Sequence, residues 1–124
     1  MTINKYKSLK RVNFFIRIDA NKSIGYGHFF RTLVLAEKLK LLKVNVNFIF
    51  NKNSKITEIL KKKRINFLQL NNDKKNIQLN INEIKWLSKA KQRKKGVFLI
   101  VDHPLADTKY LRGAKKISDY LLVF

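Results

Sequence analysis

The sequence predicts a doubly wound α/β fold, with a mostly parallel sheet of about five strands and helices on both faces. Apolar runs rich in β-branched and aromatic residues alternate along the chain with segments whose apolar residues recur at helical spacing. The run Val97 to Val101 has no polar alternation, as in strands of a parallel sheet buried on both faces. The first strand-to-helix junction contains two glycines, Gly25 and Gly27, where a turn must lead straight into a helix. A chain of 124 residues with 45% hydrophobic content suits one domain with a real core.

In order, residues 1–10 are polar and basic and read as a leader, leaving 11–124 as the domain. Val12–Ile18 is the first strand, Asp19–Gly27 a polar, glycine-bearing loop, and His28–Lys43 the first helix. That helix carries Phe30, Leu33, Val34 and Leu41 on one flank, with Phe29, Leu35, Leu39 and Leu42 beside them. Val44–Phe50 alternates before turning fully apolar, a second strand. Ser54 is positioned to cap a helix running through Ile56, Ile59 and Leu60. Ile65–Leu70 is a third, shorter strand, and 71–76 a polar loop. Ile77, Ile81, Ile84 and Leu87 then predict a further helix, which Gly96 closes. Val97–Val101 is the fourth strand, ending in Asp102-His103-Pro104; a short helix over Asp107–Lys116 leads to a fifth strand at Tyr120–Phe124. Strands alternating with helices imply right-handed crossovers. No repeat or linker suggests a second domain within these residues.

Charge and composition narrow the function classes. Twenty-eight Lys and Arg against eight Asp and Glu give +20, which suggests an acidic partner such as a nucleotide or nucleic acid. The basic residues are nevertheless spread along the chain, and the clusters Lys61–Arg64 and Lys91–Lys95 fall at predicted helix ends, where cations complement the helix dipole. Phe14, Phe15, Phe48, Phe50, Phe67 and Phe98 lie in apolar runs that a core would claim, which argues against a stacking platform for nucleic acid. No segment approaches the roughly 18 apolar residues of a membrane span. The absence of cysteine leaves no disulfide framework or thiolate metal site, consistent with a cytoplasmic protein, and the two histidines form no local metal-ligand pattern. No cofactor or metal is expected.

The candidate site lies where ligands sit in such sheets, over the carboxyl ends of the strands. Gly25 and Gly27 can let a substrate approach the main chain, with Tyr26 between them. His28 can take or give a proton near neutral pH, and Arg31, one turn on along the same side, offers a charged fork for phosphate or carboxylate. Asp19 closes the first strand; Asp102 and His103 close the fourth. Asp102 either orients His28, contacts a substrate hydroxyl, or caps the following loop.

The segments Arg17-Ile18-Asp19-Ala20, Ile24-Gly25-Tyr26-Gly27-His28 and Arg31-Thr32-Leu33-Val34-Leu35-Ala36, followed by Phe98-Leu99-Ile100-Val101-Asp102-His103, carry a resemblance. They resemble the N-terminal, Rossmann-like domain of the UDP-2,4-diacetamido-2,4,6-trideoxy-β-L-altropyranose hydrolases of pseudaminic acid biosynthesis, enzymes built like two-domain GT-B glycosyltransferases. The resemblance implies hydrolysis of a UDP-linked deoxyamino sugar to UDP and free sugar, with His28 as the leading catalytic residue. It implies Asp19, Gly25, Tyr26, Gly27, Arg31, Asp102 and His103 as substrate contacts, and a second, nucleotide-binding domain that these residues lack. On that basis the chain is expected to be the N-terminal half of a split or truncated enzyme, or to need a partner chain. In many members of the family it resembles, a tyrosine assisting catalysis follows the Asp-His pair; Pro104 stands there, so that role is vacant.

The expected mechanism is attack of water on the anomeric carbon, with UDP leaving and His28 as base or proton relay. Asp19 and Arg31 would position the sugar or stabilise charge, and the Gly25–Gly27 amides would face the sugar–phosphate region. The rivals are a glycosyltransferase or sugar-binding relative, a non-enzymatic remnant, and a non-catalytic basic nucleic-acid-binding domain, whose affinity would fall steeply with salt.

Overall fold

A computed structural model describes residues 12–71, 89 and 96–124. They form a five-stranded, all-parallel sheet in the order β3-β2-β1-β4-β5, with β1 at Val12–Ile18, β2 at Asn45–Asn51, β3 at Asn66–Leu70, β4 at Gly96–Asp102 and β5 at Tyr120–Val123. The described helices are α1 (Gly27–Leu41), α2 (Ser54–Lys62) and α3 (Thr108–Ile117). This is the doubly wound, Rossmann-like arrangement: the order reverses beside β1, between the β1–α1 and β4–α3 connections. The leader at 1–10, the helix expected over 77–87 and the cluster Lys91–Lys95 lie outside the described residues.

Strand alternation builds two cores. Phe14, Ile16 and Ile18 pack to one side with Phe29, Leu33 and Ala36 of α1 and Ile56 and Leu60 of α2. Phe15 packs to the other side with Val97, Leu99 and Val101 of β4 and Tyr110 and Ala114 of α3. Phe14, Phe15, Phe48 and Phe50 are buried, and Phe67 and Phe98 pack against the first core, so the rings are spent on cohesion. No described helix is long and apolar enough to cross a membrane.

Several boundaries correct the sequence reading for identifiable reasons. The first two strands after helices begin at Asn45 and Asn66, one residue later than expected. The amides of Val44 and Ile65 are used to close the preceding helices, bonding Leu39 and Leu60 carbonyls at 3.0 Å each. Lys43 and Arg64 take left-handed φ values of 60° and 56° at those closures, where glycine is the usual occupant. The cap of α2 is Asn53, whose side chain accepts the Ile56 amide at 3.1 Å, and Ser54 is the first helical residue. Asp107 caps α3 in the same way, through the Tyr110 amide at 2.8 Å. Gly96 opens β4 rather than standing before it. The inward stripe of α1 is Phe29, Thr32, Leu33 and Ala36, while Phe30, Val34 and Leu41 are exposed.

Candidate functional site

The register pairs Ile18 with Asp102, so β1 and β4 deliver their last residues side by side at the carboxyl edge of the sheet. The loop after β1 is built on Asn21. Its side chain accepts the amides of Ser23 and Ile24 at 2.9 and 2.8 Å, and its carbonyl accepts Gly25 N–H at 2.7 Å. Gly25 has φ +80°, a conformation costly for a residue with a Cβ. Gly27 differs from expectation: it is the first residue of α1, and open space faces it. Tyr26 is the N-cap and makes no side-chain cap bond. Instead its hydroxyl accepts from Asn53 at 3.1 Å, and Lys55 Nζ lies 4.5 Å above its ring.

One turn of α1 then faces Asp102. His28 Nδ1 lies 2.6 Å from Asp102 Oδ1. Arg31 grips both carboxylate oxygens, donating Nη2–H to Oδ1 and Nε–H to Oδ2, each at 2.6 Å. The spacing of three residues puts both side chains on one helix flank, so the motif becomes geometry through the period of the helix. Exposure is graded across the cluster: the side chains of Asp102, His28 and Arg31 are 1%, 28% and 56% accessible. Burial pushes the Asp102 carboxyl up, but the hydrogen bonds and charges of Arg31 and His28 outweigh it and hold it below its ordinary range. The same pairing raises Arg31.

An ionised carboxylate only accepts, so Nδ1 of His28 carries the hydrogen and donates to Asp102. When the ring is neutral its lone pair lies on Nε2, which no described residue hydrogen-bonds. Arg31 Nη2 also stands 3.3 Å from Nδ1; since both are donors, this is an approach of a cation to the ring edge, with Asp102 Oδ1 as their shared acceptor. A half-exposed imidazole oriented through one nitrogen and open at the other is chemically suited to accept a proton from a bound molecule.

Asp19 and His103, expected as substrate contacts, are turned inward. His103 Nε2 donates to Asp19 Oδ2 at 2.8 Å, and its Nδ1 accepts the Leu105 amide at 3.1 Å. Asp19 also receives the Asn51 amide at 2.7 Å and its side-chain Nδ2 at 2.9 Å, and it pairs with Arg17 at 3.1 Å. Burial raises the Asp19 carboxyl, and the His103 bond, the Arg17 charge and the Asn51 amide together bring it below its ordinary value. At 6% and 7% exposure, Asp19 and His103 tie together the ends of β1, β2 and β4. Arg17 and Asn51 were not anticipated. The available signal was a lone arginine inside the apolar run Phe14–Ile18, two residues from an aspartate, which is the mark of a buried ion pair.

Comparisons with models of protein families, with curated proteins and with solved structures found no match.

Proposed function

We propose that the chain is the sugar-facing, Rossmann-like half of a hydrolase that cleaves a UDP-linked deoxyamino sugar to UDP and free sugar in nonulosonic (pseudaminic) acid biosynthesis. The observation that carries the reading is the 2.6 Å contact of His28 Nδ1 with the buried Asp102 carboxylate, with no described residue hydrogen-bonded to Nε2. In the step proposed, a water oxygen bonds to the anomeric carbon, and the bond from that carbon to the UDP oxygen breaks. The water proton passes to His28 Nε2, and UDP leaves with the electron pair. Asp102 holds the ring and balances the imidazolium that forms, a positioning role rather than a hydroxyl contact. Open space at Gly27 is compatible with a sugar–phosphate group close to the start of α1. In this reading a second, nucleotide-binding unit supplies most contacts to UDP, and Pro104 leaves any tyrosine-assisted step unfilled.

The test is a product assay on the intact protein with the UDP-linked sugar, separating UDP, free sugar and any transferred sugar. Hydrolysis with release of both products is expected. His28→Ala should lower turnover by about 10²–10⁴-fold, the usual contribution of a general base, while circular dichroism stays unchanged. Full activity in that variant removes His28 from the mechanism. Sugar recovered on an acceptor other than water makes the protein a transferase, and salt-sensitive binding of arbitrary nucleic acid without turnover supports a basic binding domain.

A further inference from the structure

We propose that Arg31 is the phosphate sensor of this site: an incoming phosphate draws its guanidinium off Asp102 and leaves that carboxylate wholly to His28. The inference rests on the reading of His28 as the base and adds what arms it.

Asp102 is divided among three N–H groups, two from Arg31 and one from His28, and two of these converge on Oδ1. A carboxylate already neutralised by a guanidinium is a weaker partner for an imidazolium. Arg31 is the member placed to leave. It is the most exposed of the three, and its Nη1 makes no hydrogen bond among the described residues. The central carbon of its guanidinium lies over the Phe124 ring, 5.4 Å from the centre, so the ring can keep the cation in place while its donors change partner. A phosphate presents the same forked acceptor geometry as a carboxylate, with more charge, and so competes directly for the fork.

Release of Arg31 leaves the His28 N–H on Oδ1 of the 1% exposed Asp102, while Oδ2 gives up its Nε–H donor; the pairing of Arg31 with phosphate has to outweigh that cost. The charged groups in contact with His28 among the described residues are Asp102 from β4 and Arg31 from its own helix. Moving one of them to the ligand therefore changes the ring's surroundings directly. The net +20 of the chain favours encounter with an anion.

The experiment uses the intact protein labelled with ¹⁵N-histidine. With only two histidines, loss of one signal set in His28→Gln assigns both rings. Pyrophosphate and inorganic phosphate are the probes. Binding is expected, together with a move of the His28 Nδ1 resonance toward that of a stronger hydrogen bond. Arg31→Met should show the moved resonance without any ligand and bind pyrophosphate about tenfold more weakly or worse. Arg31→Lys, which keeps the charge but cannot fork, should fall between and guards against misfolding of the methionine variant. The inference is overturned by an unmoved Nδ1 resonance in Arg31→Met, by undiminished pyrophosphate affinity in that variant, or by failure of the wild type to bind pyrophosphate. Loss of hydrolysis with the spectral response intact rejects only the hydrolytic reading; turnover without the response rejects only the sensor.

Discussion

The two histidines occupy opposite hydrogen-bonding situations, one partly exposed and one buried. His28 gives Nδ1–H to Asp102, whereas His103 gives Nε2–H to Asp19 and receives the Leu105 amide on Nδ1. Nitrogen-15 spectra should therefore show His28 as the Nδ1–H tautomer and His103 as the Nε2–H tautomer; the same tautomer in both rings contradicts the assignment. Stability should follow the same division. Asp19→Asn removes the charge facing the fully buried Arg17 and should cost about 3 kcal/mol in urea unfolding, in the range for breaking a buried pair. His103→Ala removes one donor from that carboxylate and should cost about 1–3 kcal/mol, with His103→Gln, which can still donate, retaining part of it. His28 and Arg31 could be singled out because three positions on a helix bring two side chains to one flank. The Asp19 cage could not, since its partners Asn51 and His103 are 32 and 84 positions away and only the sheet register brings them to Asp19.

At the scale of elements, the alternation of strands and helices was plain because β1 and β4 are runs dominated by apolar residues, and the other strands are short apolar-rich segments between polar stretches. The bounds of β1 agree with the sequence reading at both ends, since Val12–Ile18 is set off by polar residues on either side. The face of α1 was not legible. Its inward stripe includes Thr32, whose hydroxyl is satisfied by the His28 and Phe29 carbonyls at 2.9 Å each, and Ala36, too small to register as an apolar anchor. Three large apolar residues exposed elsewhere on the helix, Phe30, Val34 and Leu41, outweighed them in any count of hydrophobicity. Two neighbouring phenylalanines make the test. Phe29 is fully buried with its ring 5.8 Å from Phe48, so Phe29→Ala should cost about 3–5 kcal/mol. Phe30 is 44% exposed, so Phe30→Ala should cost at most about 1 kcal/mol, mostly its contact with the Phe29 ring. Equal losses in urea midpoint would mean that the helix is rotated from the position described. That rotation would also carry His28 and Arg31 away from Asp102, so the stability measurement bears on the site as well as on the core.

Over the whole molecule, the charge of +20 and the two buried carboxylate hubs make stability depend on ionic conditions in a defined direction. Exposed pairs such as Lys62–Glu58, at 3.9 Å, and Lys63–Glu37 contribute little, while like charges outnumber opposite ones 28 to 8. Screening should thus relieve more repulsion than it removes attraction. The melting temperature should rise between about 0.01 and 1 M ionic strength, over which the Debye length falls from about 30 to about 3 Å. A fall would mean that specific ion pairs, rather than net charge, govern the surface. Acid acts on the hubs. Asp19 and Asp102 both have native values held below the 3.8 of an ordinary aspartate, by His103 and Arg17 in one case and Arg31 and His28 in the other, against the opposing effect of burial. A carboxyl that is more acidic folded than unfolded stabilises the native state fully above its unfolded value, and the contribution is lost as pH falls through the lower native value. The urea midpoint should therefore hold on descending to about pH 4 and decline steeply below it. Asp19→Asn, which starts less stable, should show a shallower decline because one titrating hub is gone. Parallel acid profiles for that variant and the wild type would show that Asp19 is not one of the groups whose protonation unfolds the protein.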